Sequence, residues 1–141
     1  MKHLLGAFPH NRAGVVTETI YGQVVSKANN YQVGNDGRGK RRIVKTERLK
    51  AYERAFARQC KLYRDKNING RFTLFVVVYE SSFRYDLDNA LKTILDCLQY
   101  VHAIKDDNLC AMIVAKKVLD RSCPRVVFAI VEHEPKLEFG L

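Results

Sequence analysis

The sequence is poor in acidic residues relative to basic ones and has no long apolar run. Fifteen Asp and Glu residues oppose 24 Lys and Arg residues, which gives a formal net charge of +9. A small domain with this charge repels itself unless a polyanion neutralises it. Nucleic acid is the polyanion that best fits this charge. Contacts of Lys and Arg with its phosphates supply most of the free energy with which proteins bind it. The longest apolar stretch, near residues 75–79, is too short to cross a bilayer, and no basic helix has the broad apolar face that a membrane surface requires.

Closely spaced cysteines are also missing. Cys60, Cys97, Cys110 and Cys123 occur singly, and no pair has the spacing of a zinc site. The first residues do not form the apolar core of a secretory signal. We therefore expect reduced thiols in an intracellular protein.

The remaining pattern predicts one globular domain over residues 1–141, since the length and the 47% hydrophobic content are ordinary for one domain. Apolar periodicity and turn residues place the elements. We predict strands at 15–25 (bent at Gly22), 43–45, 72–79, 110–118 and 125–132, helices at 47–64 (with Thr46 as N-cap) and 88–100, and a flexible, strongly basic loop at 34–42. The expected fold is a two-layer α/β (α+β) domain with a small mixed sheet and two main helices.

The most informative stretch, residues 84–92, reads Arg-Tyr-Asp-Leu-Asp-Asn-Ala-Leu-Lys. Side chains two apart, such as Asp86 and Asp88, point the same way in an extended chain but diverge within a helix. They can therefore converge only where the strand passes into the helix. Converging carboxylates repel each other unless a cation lies between them, and a hard divalent ion such as Mg²⁺ takes oxygen ligands. Lys92 follows Asp88 by one helical turn, on the same face.

A second acidic element, Asp106-Asp107, lies after this helix. Neighbours in an extended chain face opposite ways, so we expect one of the two to join the metal, and the spacing does not say which. Each acidic element also has an interpretation that requires no metal. Asp88 is also a good helix cap, and Asp106-Asp107 followed by Asn108 is also a polar turn. The occurrence of both elements in a strongly basic protein favours the metal site.

These residues resemble the pattern of the RusA family of Holliday-junction resolvases. That pattern is Asp-Leu-Asp-Asn at 86–89, a lysine four residues after the second aspartate (Lys92), and an Asp-Asp pair after the helix, with Asp96 between them. Residues 26–31 are similar to the family's Ser/Asn-rich segment. The similarity spans most of residues 18–132, but only the acidic residues of the pattern are specific to the family.

The resemblance implies a homodimeric, Mg²⁺-dependent endonuclease that resolves four-way DNA junctions by paired symmetric nicks, in recombination and repair. Mn²⁺ would substitute for Mg²⁺, and the expected location is the cytoplasm of a bacterial or phage-infected cell. The metal ligands would be Asp86, Asp88 and Asp107, with Lys92 as the essential lysine, and these four residues would be catalytic. Arg84 matches one member of the basic run that precedes the first aspartate in some relatives. We predict DNA contacts from Arg84, Asn29, Asn30, Arg38, Lys40, Arg41 and Arg42.

Two alternative functions remain open. A non-catalytic basic DNA-binding protein would need only the positive charge, and its aspartates would be caps. A metal-dependent nuclease of other preference would cut flaps or forks without selectivity for four-way junctions. The first predicts salt-sensitive binding without cleavage.

Overall fold

A computed structural model describes residues 15–28, 30–35 and 37–132, and its architecture confirms the predicted α+β class. Most predicted elements are present, with bounds that differ at several ends. In chain order they are β1 (Glu18–Tyr21), β2 (Tyr31–Asn35), β3 (Arg41–Lys45), α1 (Glu47–Gln59), β4 (Phe72–Glu80), α2 (Leu87–Tyr100), a 3₁₀ turn (Asp107–Leu109), β5 (Cys110–Leu119) and β6 (Arg125–Val131).

The strands form a mixed four-stranded sheet in the order β1-β6-β4-β5, beside a separate β2–β3 hairpin. β6 runs antiparallel to both β4 and β1. β4 and β5 are parallel and are joined through α2, with Phe72 opposite Cys110 and Glu80 opposite Leu119. Because the two strands are parallel, the C-terminal end of β4 and the N-terminal end of β5 lie at opposite ends of this strand pair.

The main core lies where α1 and α2 pack with the sheet. Every residue of β4 is buried, as predicted for a central strand covered on both sides. Phe56 of α1 stacks on Phe128 of β6 with ring centroids 6.1 Å apart, and Ile94 and Leu98 of α2 are fully buried. The segment that follows β4 thus starts from a firmly packed strand.

The first helix begins as predicted and ends early. Thr46 caps it, since its hydroxyl accepts the N–H of Leu49 at 3.3 Å. The prediction that it continues to residue 64 was wrong, because the carboxylate of Glu18 accepts the N–H groups of residues 61–63 at 2.7, 2.9 and 3.1 Å. A continuing helix would direct those N–H groups to its own carbonyls. The chain leaves the helix at Gln59 instead.

Glu18→Gln should lower the free energy of unfolding by about 2–4 kcal/mol, because the amide offers fewer acceptor sites to these three N–H groups and carries no charge. Glu18 is buried, and it also accepts from the Cys60 thiol. Urea unfolding of both proteins measures the difference. Glu47→Gln is the control, since Glu47 makes only an exposed pair with Lys50; we expect it to change the free energy of unfolding by less than about 1 kcal/mol. Equal losses in the two variants would contradict the role of Glu18.

The strand predicted at 15–25 is shorter than expected. Gly22 has a φ of +113°, and its N–H donates to the carbonyl of Pro124 at 2.9 Å, so β1 ends at Tyr21. Val24 and Val25 are buried in an irregular segment that passes α2. There the hydroxyl of Thr93 donates to the carbonyl of Val25 at 2.8 Å.

The predicted basic loop at 34–42 is part of a hairpin. The prediction of a flexible loop was wrong for residues 34–35 and 41–42, which lie in its strands. Residues 31–35 pair with residues 41–45. At the turn, the Asn35 side chain accepts the N–H groups of Gly37 and Gly39, both at 3.1 Å. Both glycines have positive φ, which suits them to this tight turn.

The four cysteines are free thiols, as predicted. Burial raises the pKa of Cys60 and of Cys97 to about 12, so both thiols stay protonated and unreactive at neutral pH. No helix within the described ranges is long and apolar enough to cross a membrane.

Candidate active site

Asp86 and Asp88 lie where the sequence predicted, at the junction where the chain enters α2. Asp86 has extended backbone angles (φ −79°, ψ 131°) and occupies the cap position of α2, while Asp88 lies in the first helical turn. The alternative in which Asp88 is the cap is therefore wrong. The carboxylate of Asp86 makes no capping hydrogen bond, and both side chains are exposed. Both therefore remain open to a ligand, at a helix N-terminus that favours negative charge.

A third carboxylate, which the sequence reasoning missed, lies beside this junction. Glu80 ends β4, is 1% exposed, and has one carboxylate oxygen without a hydrogen-bond partner. Burial raises the pKa of Glu80 to about 7; Lys117 and Gln23 oppose this rise and the charge of Asp86 adds to it. An acidic residue directly after a continuous apolar strand was the available signal. Buried carboxylate oxygens without partners are rare and call for an explanation.

The second acidic element divides into two roles. Asp106 caps the 3₁₀ turn by accepting the N–H of Asn108 at 2.9 Å, so the polar-turn interpretation is confirmed for that residue. Asp107 is exposed, and its N–H donates to the side chain of Gln99 at 3.0 Å. Partial burial, a hydrogen bond with Asp106 and the charges of Asp106 and Asp96 raise the pKa of Asp107. A nearby cation would relieve this repulsion.

One copy of the chain does not bring Asp107 to Asp86 and Asp88. Asp107 contacts the C-terminal end of α2, whereas the other two lie at its N-terminal end. A helix of 14 residues is about 20 Å long. Consistently, no three His, Cys, Asp or Glu side chains in the described part of the chain lie close enough to hold one metal ion.

The basic residues of the motif flank the aspartates. Lys92 is exposed on α2 one turn beyond Asp88, and Arg84 is exposed on the segment before Asp86. Asp96, which also belongs to the resemblance, pairs instead with the ammonium of Lys27.

The predicted DNA contacts have different surroundings. The basic ones, Arg38, Lys40, Arg41 and Arg42, are exposed on the hairpin. Asn30 ties its segment to α1: its amide donates to the carbonyl of Ser26 at 2.7 Å and accepts from the Thr46 hydroxyl at 3.1 Å. Its side chain therefore already has internal partners. Asn29 lies outside the described residues.

The donors at the strand-to-helix junction suit a hard divalent cation. Asp86 and Asp88 offer exposed carboxylate oxygens at the start of α2. Mg²⁺ prefers oxygen ligands and needs few from the protein, and Mn²⁺ accepts the same donors. The residues present therefore fit such an ion.

The family model for endodeoxyribonuclease RusA matches residues 22–131. This chain belongs to the RusA family. The matched span contains the hairpin, both described helices and the three strands β4, β5 and β6, and it includes Asp86, Asp88, Lys92 and Asp107. Family membership makes the protein an endodeoxyribonuclease and DNA its substrate, and it confirms the resemblance found in the sequence. A search of curated proteins found no match.

Proposed function

We propose that this RusA-family protein is a divalent-metal-dependent endonuclease that resolves four-way DNA junctions in the cytoplasm by paired symmetric nicks. The observation that carries the proposal is the pair Asp86 and Asp88, two exposed carboxylates at a helix start, where the side chain of the cap residue Asp86 makes no capping hydrogen bond. They lie in a protein of net charge +9, which attracts DNA. Acidic groups in such a protein are best explained by a cation that bridges them to phosphate.

The proposed metal site combines two copies of the chain. Asp86 and Asp88 of one copy and Asp107 of the other would hold the cation, because α2 separates these residues within one copy. A two-fold homodimer then has two such sites, and its symmetry matches that of a four-way junction. The dimer is thus part of the proposed chemistry.

Asp86, Asp88 and Asp107 would hold a divalent cation, which would supply Lewis-acid chemistry for phosphodiester hydrolysis. Lys92 is placed to offset negative charge that develops on the phosphate oxygens, since it follows Asp88 by one turn. The N-terminus of α2 favours the same anionic group. Arg84 and the exposed basic residues of the hairpin would contact the DNA backbone.

End-labelled four-way junctions and matched linear duplexes, with Mg²⁺ and with EDTA, test the proposal. We expect paired nicks in the junction, abolished by EDTA and by Asp88→Asn, and retained in Glu47→Gln, which alters an exposed carboxylate on α1. Junction binding should persist in Asp88→Asn, because the phosphate-binding charges remain. Binding without cleavage in the wild type would favour a DNA-binding protein, and equal cutting of flaps or forks would favour a nuclease of broader preference.

A further inference from the structure

Side chains from elsewhere in the chain hold the segment that carries Asp86. Residues 81–86 lie between β4 and α2, outside the strands and helices. At its start, the N–H and the hydroxyl of Ser81 both donate to the side chain of Gln23, at 2.8 and 2.9 Å. At its end, the contacts come from β5, through Lys117.

Lys117 makes three contacts with this segment. Its ammonium donates to the carbonyls of Phe83 and Tyr85, at 3.0 and 2.9 Å, and lies 4.2 Å from the centroid of the Phe83 ring. Hydrogen bonds from a charged donor are stronger than neutral ones, and the cation–π contact adds to them. The Tyr85 carbonyl belongs to the peptide bond that joins Tyr85 to Asp86. One ammonium therefore fixes the peptide that directly precedes the first aspartate.

The direction of the Lys117 side chain also bears on its role. A lysine that served only to attract DNA would extend its ammonium into solvent. Lys117 is only partly exposed, and its ammonium donates to two carbonyls of the segment. These contacts hold the backbone, so they point to a role in geometry.

We propose that Lys117 is a positioning residue that fixes the backbone before Asp86 so that this carboxylate faces the cation. The inference rests on the proposed function, in which Asp86 is a cation ligand, and it adds a residue that lies outside the acidic motif. Groups that orient metal ligands typically contribute 10–100-fold to metal affinity or activity.

The test compares Lys117→Met, Lys117→Arg and Lys116→Met. Lys116 is the exposed neighbour on β5, so its replacement removes the same charge from the same strand. Amide hydrogen exchange across residues 82–88 reports on the backbone, calorimetric Mn²⁺ titration without DNA reports on the cation, and junction cleavage gives kcat and KM. In Lys117→Met we expect faster exchange, Mn²⁺ affinity and kcat lower by about 10–100-fold, and a KM equal to that of Lys116→Met. Lys117→Arg should recover part of each loss, because it keeps charged donors.

If exchange across residues 82–88 and Mn²⁺ affinity are the same in Lys117→Met and Lys116→Met, the inference is wrong, whatever the wild type cleaves. If Lys117→Met exchanges faster while the wild type neither binds Mn²⁺ nor cuts DNA, the proposed function fails and the hold of Lys117 on the segment stands. Lys117→Gln, which keeps a donor without the charge, replaces Lys117→Met if that variant does not fold, and the same comparison with Lys116→Met decides.

Discussion

Mixing Asp88→Asn with Asp107→Asn should restore nicking that neither variant shows alone. Each variant by itself loses a proposed cation ligand from both sites, so we expect cleavage to fall by more than about a hundredfold, beyond the range for groups that only orient ligands. In a dimer of one Asp88→Asn copy and one Asp107→Asn copy, one site lacks both Asp88 and Asp107. The other site keeps Asp86, Asp88 and Asp107. Cleavage of an end-labelled junction by co-expressed variants measures the recovery.

The pattern of recovery is specific. Random pairing leaves about a quarter of all sites intact, and a mixed dimer holds one intact site, so the products should be single nicks rather than resolved duplexes. Asp86→Asn mixed with Asp88→Asn is the control: both residues come from the same copy, so no pairing rebuilds a site. A mixture of Asp88→Asn and Asp107→Asn that stays inactive while its subunits exchange would place all three aspartates within one copy and overturn the two-copy site.

Glu80→Gln should make the metal-free protein more stable than the wild type at alkaline pH. Burial raises the pKa of Glu80 to about 7, so the fold prefers the protonated acid. Its stabilising contribution is fully present below the ordinary pKa of glutamate and is lost as the pH rises through about 7. The neutral amide avoids that loss. We expect a gain of about 2–3 kcal/mol at pH 8 and less than about 1 kcal/mol at pH 5.

Urea unfolding in EDTA at both pH values measures this effect, with Glu47→Gln as the exposed control. The difference between the two pH values carries the information, because side-chain changes unrelated to ionisation act equally at both. Lys117 and Gln23 favour the ionised form of Glu80, and Asp86 disfavours it, so the measured gain is their balance. A variant that matches the wild type at pH 8 would show that Glu80 is ionised without cost in the fold.

The features that the sequence predicted correctly depend on neighbours in the chain. The cap at Thr46 acts three residues away, the apolar run of β4 needs only its own composition, and the junction position of Asp86 and Asp88 follows from an element change beside them. Each rule applies within a few residues. They sufficed for the fold class and for the location of the motif.

The features that the sequence did not reveal depend on partners far along the chain. Glu18 ends α1 from 43 residues away, and Lys117 reaches the segment before Asp86 from a different strand. The position of Asp107 depends on strand direction. Had β5 run antiparallel to β4, its start would lie beside the end of β4 and bring Asp107 towards Asp86. No local pattern chooses between the two directions.

The parallel pairing of β4 and β5 also has a consequence for how the cleavage rate would depend on protein concentration in a cell. Under the proposed assembly, a monomer would carry Asp86 and Asp88 at one end of the β4–β5 pair and Asp107 at the other. It would therefore have no complete site and would not cleave DNA. Below the dissociation constant of the dimer, cleavage then rises with the square of the protein concentration. Leaky expression would produce almost no nicks, and a tenfold rise in the amount of protein would raise the rate about a hundredfold. Under the proposed assembly, strand direction would therefore make cleavage depend steeply on the amount of protein.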